Sequence, residues 1–178
     1  HTYLAQINSG SVRIIDTSSF PTLTTRSTTT TPGAFTHNAW VNKASTLMVT
    51  TDENRGGCLT FYDVTIKTAP IQLSTFCSPS GGTVHNAFIL GQVCFVSAYS
   101  AGFHAIDISE PANPRLICSY DTSPQSNNDY HGCWGCFPFQ PSCNIYLSDM
   151  QTGFHIVQPT CGVPWQYGTG TAGTAGKT

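Results

Sequence analysis

Three histidines recur along this 178-residue chain at nearly regular intervals, each opening a similar stretch: His37-Asn-Ala-Trp-Val, His85-Asn-Ala-Phe-Ile and His131-Gly-Cys-Trp-Gly. Their separations are 48 and 46 residues. Neutral imidazoles suit zinc and other transition metals, and three of them with an open coordination position make a catalytic geometry. Asp52, Glu53 and Asp149 fall near the ends of the β-rich runs that follow, and can join as ligands or as a general base. The competing reading is structural. A His-Asn pair repeated before an inner strand can instead hydrogen-bond backbone groups of the neighbouring unit. His104 and His155 share a second repeated place, where alternation assigns them to one face as packing or surface residues.

Eight cysteines (Cys58, Cys77, Cys94, Cys118, Cys133, Cys136, Cys143, Cys161) are many for a reduced compartment, and their even count favours disulfides and an oxidising one. Cys136 with Cys143 is the pairing expected to staple a hairpin, with buried free thiols as the plainer alternative. Cys133-Trp-Gly-Cys136 has redox spacing, but Phe-Pro-Phe-Gln-Pro follows it where a helix is needed, and a zinc site needs a second regular pair. Asp121, Asn127 and Asp129 crowd oxygen ligands into one loop that could hold calcium. That loop lacks the glycine and terminal glutamate of an EF-hand, and a polar turn explains it as well. No nucleophile elbow, phosphate loop or dinucleotide fingerprint is present.

The elements that must position these residues come from the repeat. After each histidine stretch comes a β-rich run: Thr46-Leu-Met-Val-Thr-Thr51, Val93-Cys-Phe-Val-Ser-Ala98 and Asn144-Ile-Tyr-Leu-Ser-Asp149. A glycine turn and a second alternating run follow. That run ends in Asp at Asp16, Asp63 and Asp107, with Gln158 in the fourth unit. A proline-bearing connection and one more short strand close the unit. Four short strands per unit of about 45 residues match a propeller blade. The fold expected is all-β, with three to four β-propeller-like blades in a single domain over 1–166 and a flexible Gly/Thr/Ala tail over 167–178. Propellers typically close with roughly four to eight blades, so either blades are missing from this sequence or a partner covers the open edges. Thr28, Thr29, Thr30 and Thr31 lie in a Thr-rich stretch that suits O-glycosylation, or equally an edge strand.

Composition narrows the partners. Charged residues are 9% against roughly 25% in ordinary domains, and the net charge is −2, so there is no basic stripe for nucleic acid. No apolar stretch approaches the roughly 20 residues of a membrane-spanning helix. The chain opens on His1 with no signal-peptide pattern, which suggests a processed product or a piece of a longer chain.

Arg13-Ile-Ile-Asp-Thr-Ser18 and Ala105-Ile-Asp-Ile-Ser-Glu-Pro-Ala-Asn-Pro114 resemble the LVIVD repeat of surface-exposed propeller-like proteins. With His37-Asn-Ala-Trp, His85-Asn-Ala-Phe and Ser148-Asp-Met-Gln-Thr-Gly-Phe154, the pattern over about residues 10–158 is similar to the choice-of-anchor B group of secreted or surface-anchored proteins. The resemblance implies a propeller-like fold and an extracellular setting. Two departures stand out: the chain is shorter than a full domain of that group and richer in cysteine. The function expected first is a non-enzymatic extracellular structural or adhesive protein, a fibre or filament subunit that self-associates or binds other extracellular chains. The alternatives are a carbohydrate- or protein-binding module, with Trp40, Trp134 and Trp165 as stacking faces, and a metal-dependent enzyme using His37, His85 and His131. The cofactors these readings admit are calcium or zinc, and O-linked glycans.

Overall fold

The computed structural model describes residues 1–125 and 130–160. Its strands, in chain order, are β1 (Thr2–Gln6), β2 (Ser11–Asp16), β3 (Thr24–Thr30), β4 (Thr36–Val41), β5 (Leu47–Asp52), β6 (Leu59–Asp63) and β7 (Ile71–Phe76). They continue as β8 (Ala87–Leu90), β9 (Val93–Ser97), β10 (Phe103–Asp107), β11 (Arg115–Tyr120), β12 (Cys133–Phe137), β13 (Ile145–Asp149) and β14 (Gly153–Val157). Neighbours in sequence are neighbours in space. The strands form antiparallel sheets β1-β2-β3 (sheet I), β4-β5-β6-β7 (sheet II), β8-β9-β10-β11 (sheet III) and β12-β13-β14 (sheet IV). The fold is all-β and propeller-like.

Each sheet lies face to face with the next, and three apolar seams separate them. Val12 and Ile14 meet Met48, Tyr62 and Val64 between sheets I and II. Val49, Leu59 and Phe61 meet Ala87, Ile89, Val96 and Ile106 between II and III. Phe95, Phe103 and Ala105 meet Cys133, Cys136, Ile145 and Leu147 between III and IV. A central strand sandwiched by two neighbours must be apolar on both faces, which is why β5 and β9 read as continuous buried runs rather than alternating ones. The outer strands β7 and β11 keep exposed residues.

The repeated aspartates are turn residues. Asp16, Asp63 and Asp107 each accept the backbone N–H two residues on, from Ser18, Thr65 and Ser109 at 2.8–2.9 Å, closing the exit from the third strand of each blade. A register shift between third and fourth strands recurs at Ile14/Ile15, Phe61/Tyr62 and Ala105/Ile106. The Thr-rich stretch is the outer strand β3, and Thr31 just beyond it is buried at 2% exposure and hydrogen-bonded to Asp52 and Thr36. It is therefore not a glycan acceptor.

The cysteines divide. Cys58 and Cys77 form a disulfide across the ends of β6 and β7, and Cys118 is disulfide-bonded as well. Cys94, Cys133, Cys136 and Cys143 are free, so the Cys136–Cys143 staple does not form. The reason is direction. A bulge in β12 turns both Cys133 and Cys136 into the III–IV core, away from the hairpin that carries Cys143. Burial pushes the Cys133 thiol up to about 12 and raises Cys94 and Cys136 further, so all three stay protonated and inert, and the C-x-x-C is a core strand. Cys161, Trp165 and the tail lie outside the described residues.

Candidate metal centre

The inner strands of sheets II and IV each carry one residue that the pairing skips. In sheet II, Thr36 pairs with Asp52 and Asn38 with Thr51, leaving His37 as a bulge. In sheet IV, Cys133 pairs with Asp149 and Gly135 with Ser148, leaving Trp134. His85 holds the same place ahead of β8, its N–H bonded to Ser97 O. A bulge re-aims its side chain out of the pleat. Here the three rings stack on one another, His37 on His85 at 4.4 Å and His85 on Trp134 at 5.2 Å between centroids.

This register corrects the repeat read from sequence. The counterpart of His37 and His85 in the fourth sheet is Trp134, and the counterpart of Trp40 and Phe88 is Phe137. His131 sits three residues upstream in the preceding loop, its Nε2 buried without a hydrogen-bond partner, outside the cluster formed by the other two histidines. Only His37 and His85 of the expected triad come together.

The third member is Glu53, directly beyond β5 and anchored by its N–H to Phe35 O at 3.0 Å. Ligand atoms of His37, Glu53 and His85 all lie within 4.8 Å of one another. His37 Nδ1 is 3.0 Å from Glu53 Oε2, and the nitrogen is buried without a hydrogen bond. His85 Nε2 is 3.5 Å from Glu53 Oε1. Tyr99 donates its hydroxyl to the same Oε1 at 2.5 Å, and Tyr130 donates to the Glu53 carbonyl at 3.2 Å. Burial, then the carboxylate it bonds, push the Tyr99 phenol up, so it remains a donor.

The tautomer of His85 follows from its partners. Nδ1 lies 2.5 Å from Trp134 O, an atom that only accepts, so Nδ1 carries the proton. Burial, then the neighbouring His37, lower the His85 pKa and keep the ring neutral. Nε2 is thus a bare lone pair facing a carboxylate. A lone pair, an anion and an orphaned imidazole nitrogen converge where a cation belongs, and an N–H held by a backbone carbonyl is how proteins orient metal-bound histidine.

The remaining candidates have other work. Asp52, 2% exposed, accepts from Thr31 Oγ1, from Gly33 N at 2.9 Å and from Phe35 N at 3.0 Å. Asp149 accepts from Thr122 Oγ1 at 2.6 Å and from the N–H groups of Gln151 and Thr152 at 2.8 Å. Both are saturated clasps. Asp121 caps its own loop through Ser123 N, and the other two calcium candidates, Asn127 and Asp129, lie outside the described residues. His155 bonds Thr152 and is a surface residue. Trp40 is packed in the II–III seam against Phe88, whereas Trp134 is half exposed. Sequence reasoning missed Tyr99 and the Trp134 carbonyl. Tyr99 occupies the place of Glu53 one blade on, an equivalence visible only once the register is fixed.

No protein-family model matches the chain, and no curated protein does. Solved structures do. A crystal structure of a protein from Lactobacillus plantarum aligns at a TM-score of 0.66 with 12% identity, over 88% of this chain and 52% of that one. A structural-genomics protein of unknown function from Bacteroides thetaiotaomicron aligns at 0.62 with 15% identity, over 92% of this chain and 40% of that one. The chain therefore spans about half, or less, of the length of these structures, and the likeness concerns fold alone.

Proposed function

We propose that this chain holds a transition-metal ion of the zinc class on the inner rim of the seam between sheets II and III. His37 Nδ1, Glu53 and His85 Nε2 are its ligands. The observation that carries this reading is the convergence of three electron-rich atoms, one of them an orphaned buried nitrogen. Three protein ligands leave the coordination open, so the ion is available to a small oxygen ligand or to water. Titration of metal-stripped protein with zinc, read by calorimetry, tests it. One equivalent is expected to bind to the wild type, and Glu53→Gln to abolish or greatly weaken that binding while the protein stays folded. Absence of stoichiometric binding to the wild type overturns the assignment and leaves the cluster a seam contact.

A second reading is favoured by a different surface. The outward face of sheet IV exposes Phe137, Phe154 and Ile156, which is apolar surface of the kind sheets II and III bury against their neighbours. An extracellular structural or adhesive subunit that associates through this face accounts for it. The disulfides and the resemblance to LVIVD-repeat surface proteins support the same setting. Electron microscopy of the oxidised protein tests this reading, with ordered assemblies expected and monodisperse single particles against it.

A further inference from the structure

At the same II–III seam, but on a different set of side chains, Ser78, Ser80 and His104 form a hydrogen-bonded chain whose direction is fixed. His104 Nδ1 is 3.0 Å from Phe103 O, which only accepts, so the ring proton is on Nδ1. Burial lowers the His104 pKa, and the neutral ring offers Nε2 as an acceptor. Ser78 Oγ lies 2.8 Å from that Nε2 and donates its single proton to it. Ser80 Oγ lies 3.1 Å from Ser78 Oγ, whose proton is already committed, so Ser80 donates to Ser78. The chain runs from an exposed hydroxyl through a buried one to a buried base.

The exposed end opens into a cavity of 310 Å³ that Ser80 and His104 line together with apolar Pro79, Ala101 and Leu116 and polar Ser100, Ser119 and Asp121. That volume is at the lower end of small-molecule sites, about 300–1,000 Å³. The loop bearing Ser80 is held close by Gly82, where a Cβ would come within 2.2 Å of Ala101 Cβ. The repeat shows that this is a departure. Thr31 and Thr122, in the corresponding loops after β3 and β11, donate to the carboxylates Asp52 and Asp149. In sheet III the matching place is Ala98, and Ser78 turns to a basic nitrogen instead.

We infer that Ser80 is a nucleophile, activated through Ser78 by His104 as general base, that accepts the acyl group of a small ester with a polar alcohol portion. Ser80 Oγ forms the new bond to the acyl carbon and the ester C–O bond breaks. The proton of Ser80 moves to Ser78 as that of Ser78 moves to Nε2. The alcohol leaves, taking that proton from the imidazolium. Asp121 on the cavity wall favours the transient positive charge.

A fluorophosphonate probe tests this, because the same attack expels fluoride and leaves a stable adduct. Peptide mass spectrometry of the labelled, folded protein is expected to place the adduct on Ser80, with heat-denatured protein unlabelled. Ser80→Ala should remove the adduct, and Ser78→Ala should slow labelling at least tenfold. If Ser78→Ala loses its circular-dichroism signature, His104→Gln replaces it, with the same slowing expected. An unlabelled wild type, an adduct elsewhere, or unchanged labelling without Ser78 or His104 overturns the inference.

Discussion

His37 and His85 occupy the same place in consecutive blades, and they do different things. His85 gives its Nδ1 proton to the carbonyl of the next bulge residue, Trp134, so it ties sheet III to sheet IV. By the repeat, His37 should tie sheet II to the carbonyl of His85. Thr51 donates to that carbonyl at 2.7 Å, as its counterpart Ser97 does to the Trp134 carbonyl, but His37 Nδ1 makes no such bond and lies beside Glu53 instead. One histidine is a seam contact that also offers a free nitrogen. The other keeps the ring stack across the seam but not the carbonyl bond. What differs between the two blades is the residue beside the ring, Glu53 next to His37 and Tyr99 next to His85, and the site lies where the carboxylate stands.

The largest expected effects separate two adjacent carboxylates. Asp52→Ala leaves Thr31 and the N–H groups of Gly33 and Phe35 without their acceptor, and should cost about 3–5 kcal/mol in urea unfolding. Glu53→Gln should change stability by less than about 1 kcal/mol and weaken zinc binding on the order of 100-fold, about 2.7 kcal/mol. If Asp52→Ala were mild and Glu53→Gln strongly destabilising, the distinction between clasp and site would collapse.

An intermediate effect comes from pH. His85 has a folded pKa below the unfolded value of about 6.5, so unfolding takes up a proton as the solution is acidified. The contribution of neutral His85 is complete above about pH 6.5 and is lost as pH falls through the depressed folded value. Buried His104, lowered in the same direction, adds to the slope. The urea midpoint should therefore fall between pH 7.5 and 5, and His85→Gln should flatten part of that fall. Asp149 acts in a lower window. Burial would raise its pKa, but hydrogen bonds from Thr122, Thr152 and Gln151 outweigh burial and hold it below the usual range. Its contribution persists above about pH 3.9 and is lost below, a loss that Asp149→Asn should remove.

The all-β repeat was legible because central strands announce themselves as apolar runs such as Val93-Cys-Phe-Val, and the strand-ending aspartates mark each turn. The pairing of His37 with His85 was legible for the same reason. His131 misled because the resemblance of His-Gly-Cys-Trp to His-Asn-Ala-Trp hides a shift of three residues. Register belongs to the hydrogen-bond ladder, and the bulge that selects Trp134 leaves no mark in composition. The free cysteines were illegible on similar grounds, since whether Cys136 faces a core or a hairpin depends on that same bulge.

The smallest expected effect tests whether ring or backbone does the orienting at Trp134. Its carbonyl accepts from both His85 Nδ1 and Ser97 Oγ, the latter at 3.1 Å, and Ser97 matches Thr51 one blade earlier. Trp134→Ala keeps that carbonyl and removes the indole, which hydrogen-bonds Tyr99 and stacks on His85, the stack being worth about 0.5–1.5 kcal/mol in comparable aromatic pairs. Zinc affinity, measured by the same calorimetric titration, should fall no more than a few-fold. A loss as large as that of Glu53→Gln would mean that stacking, rather than the Nδ1–carbonyl bond, aims Nε2 at the metal. In that case His37, which has the stack but not the carbonyl, would be positioned just as well as His85, and the contrast between them would vanish.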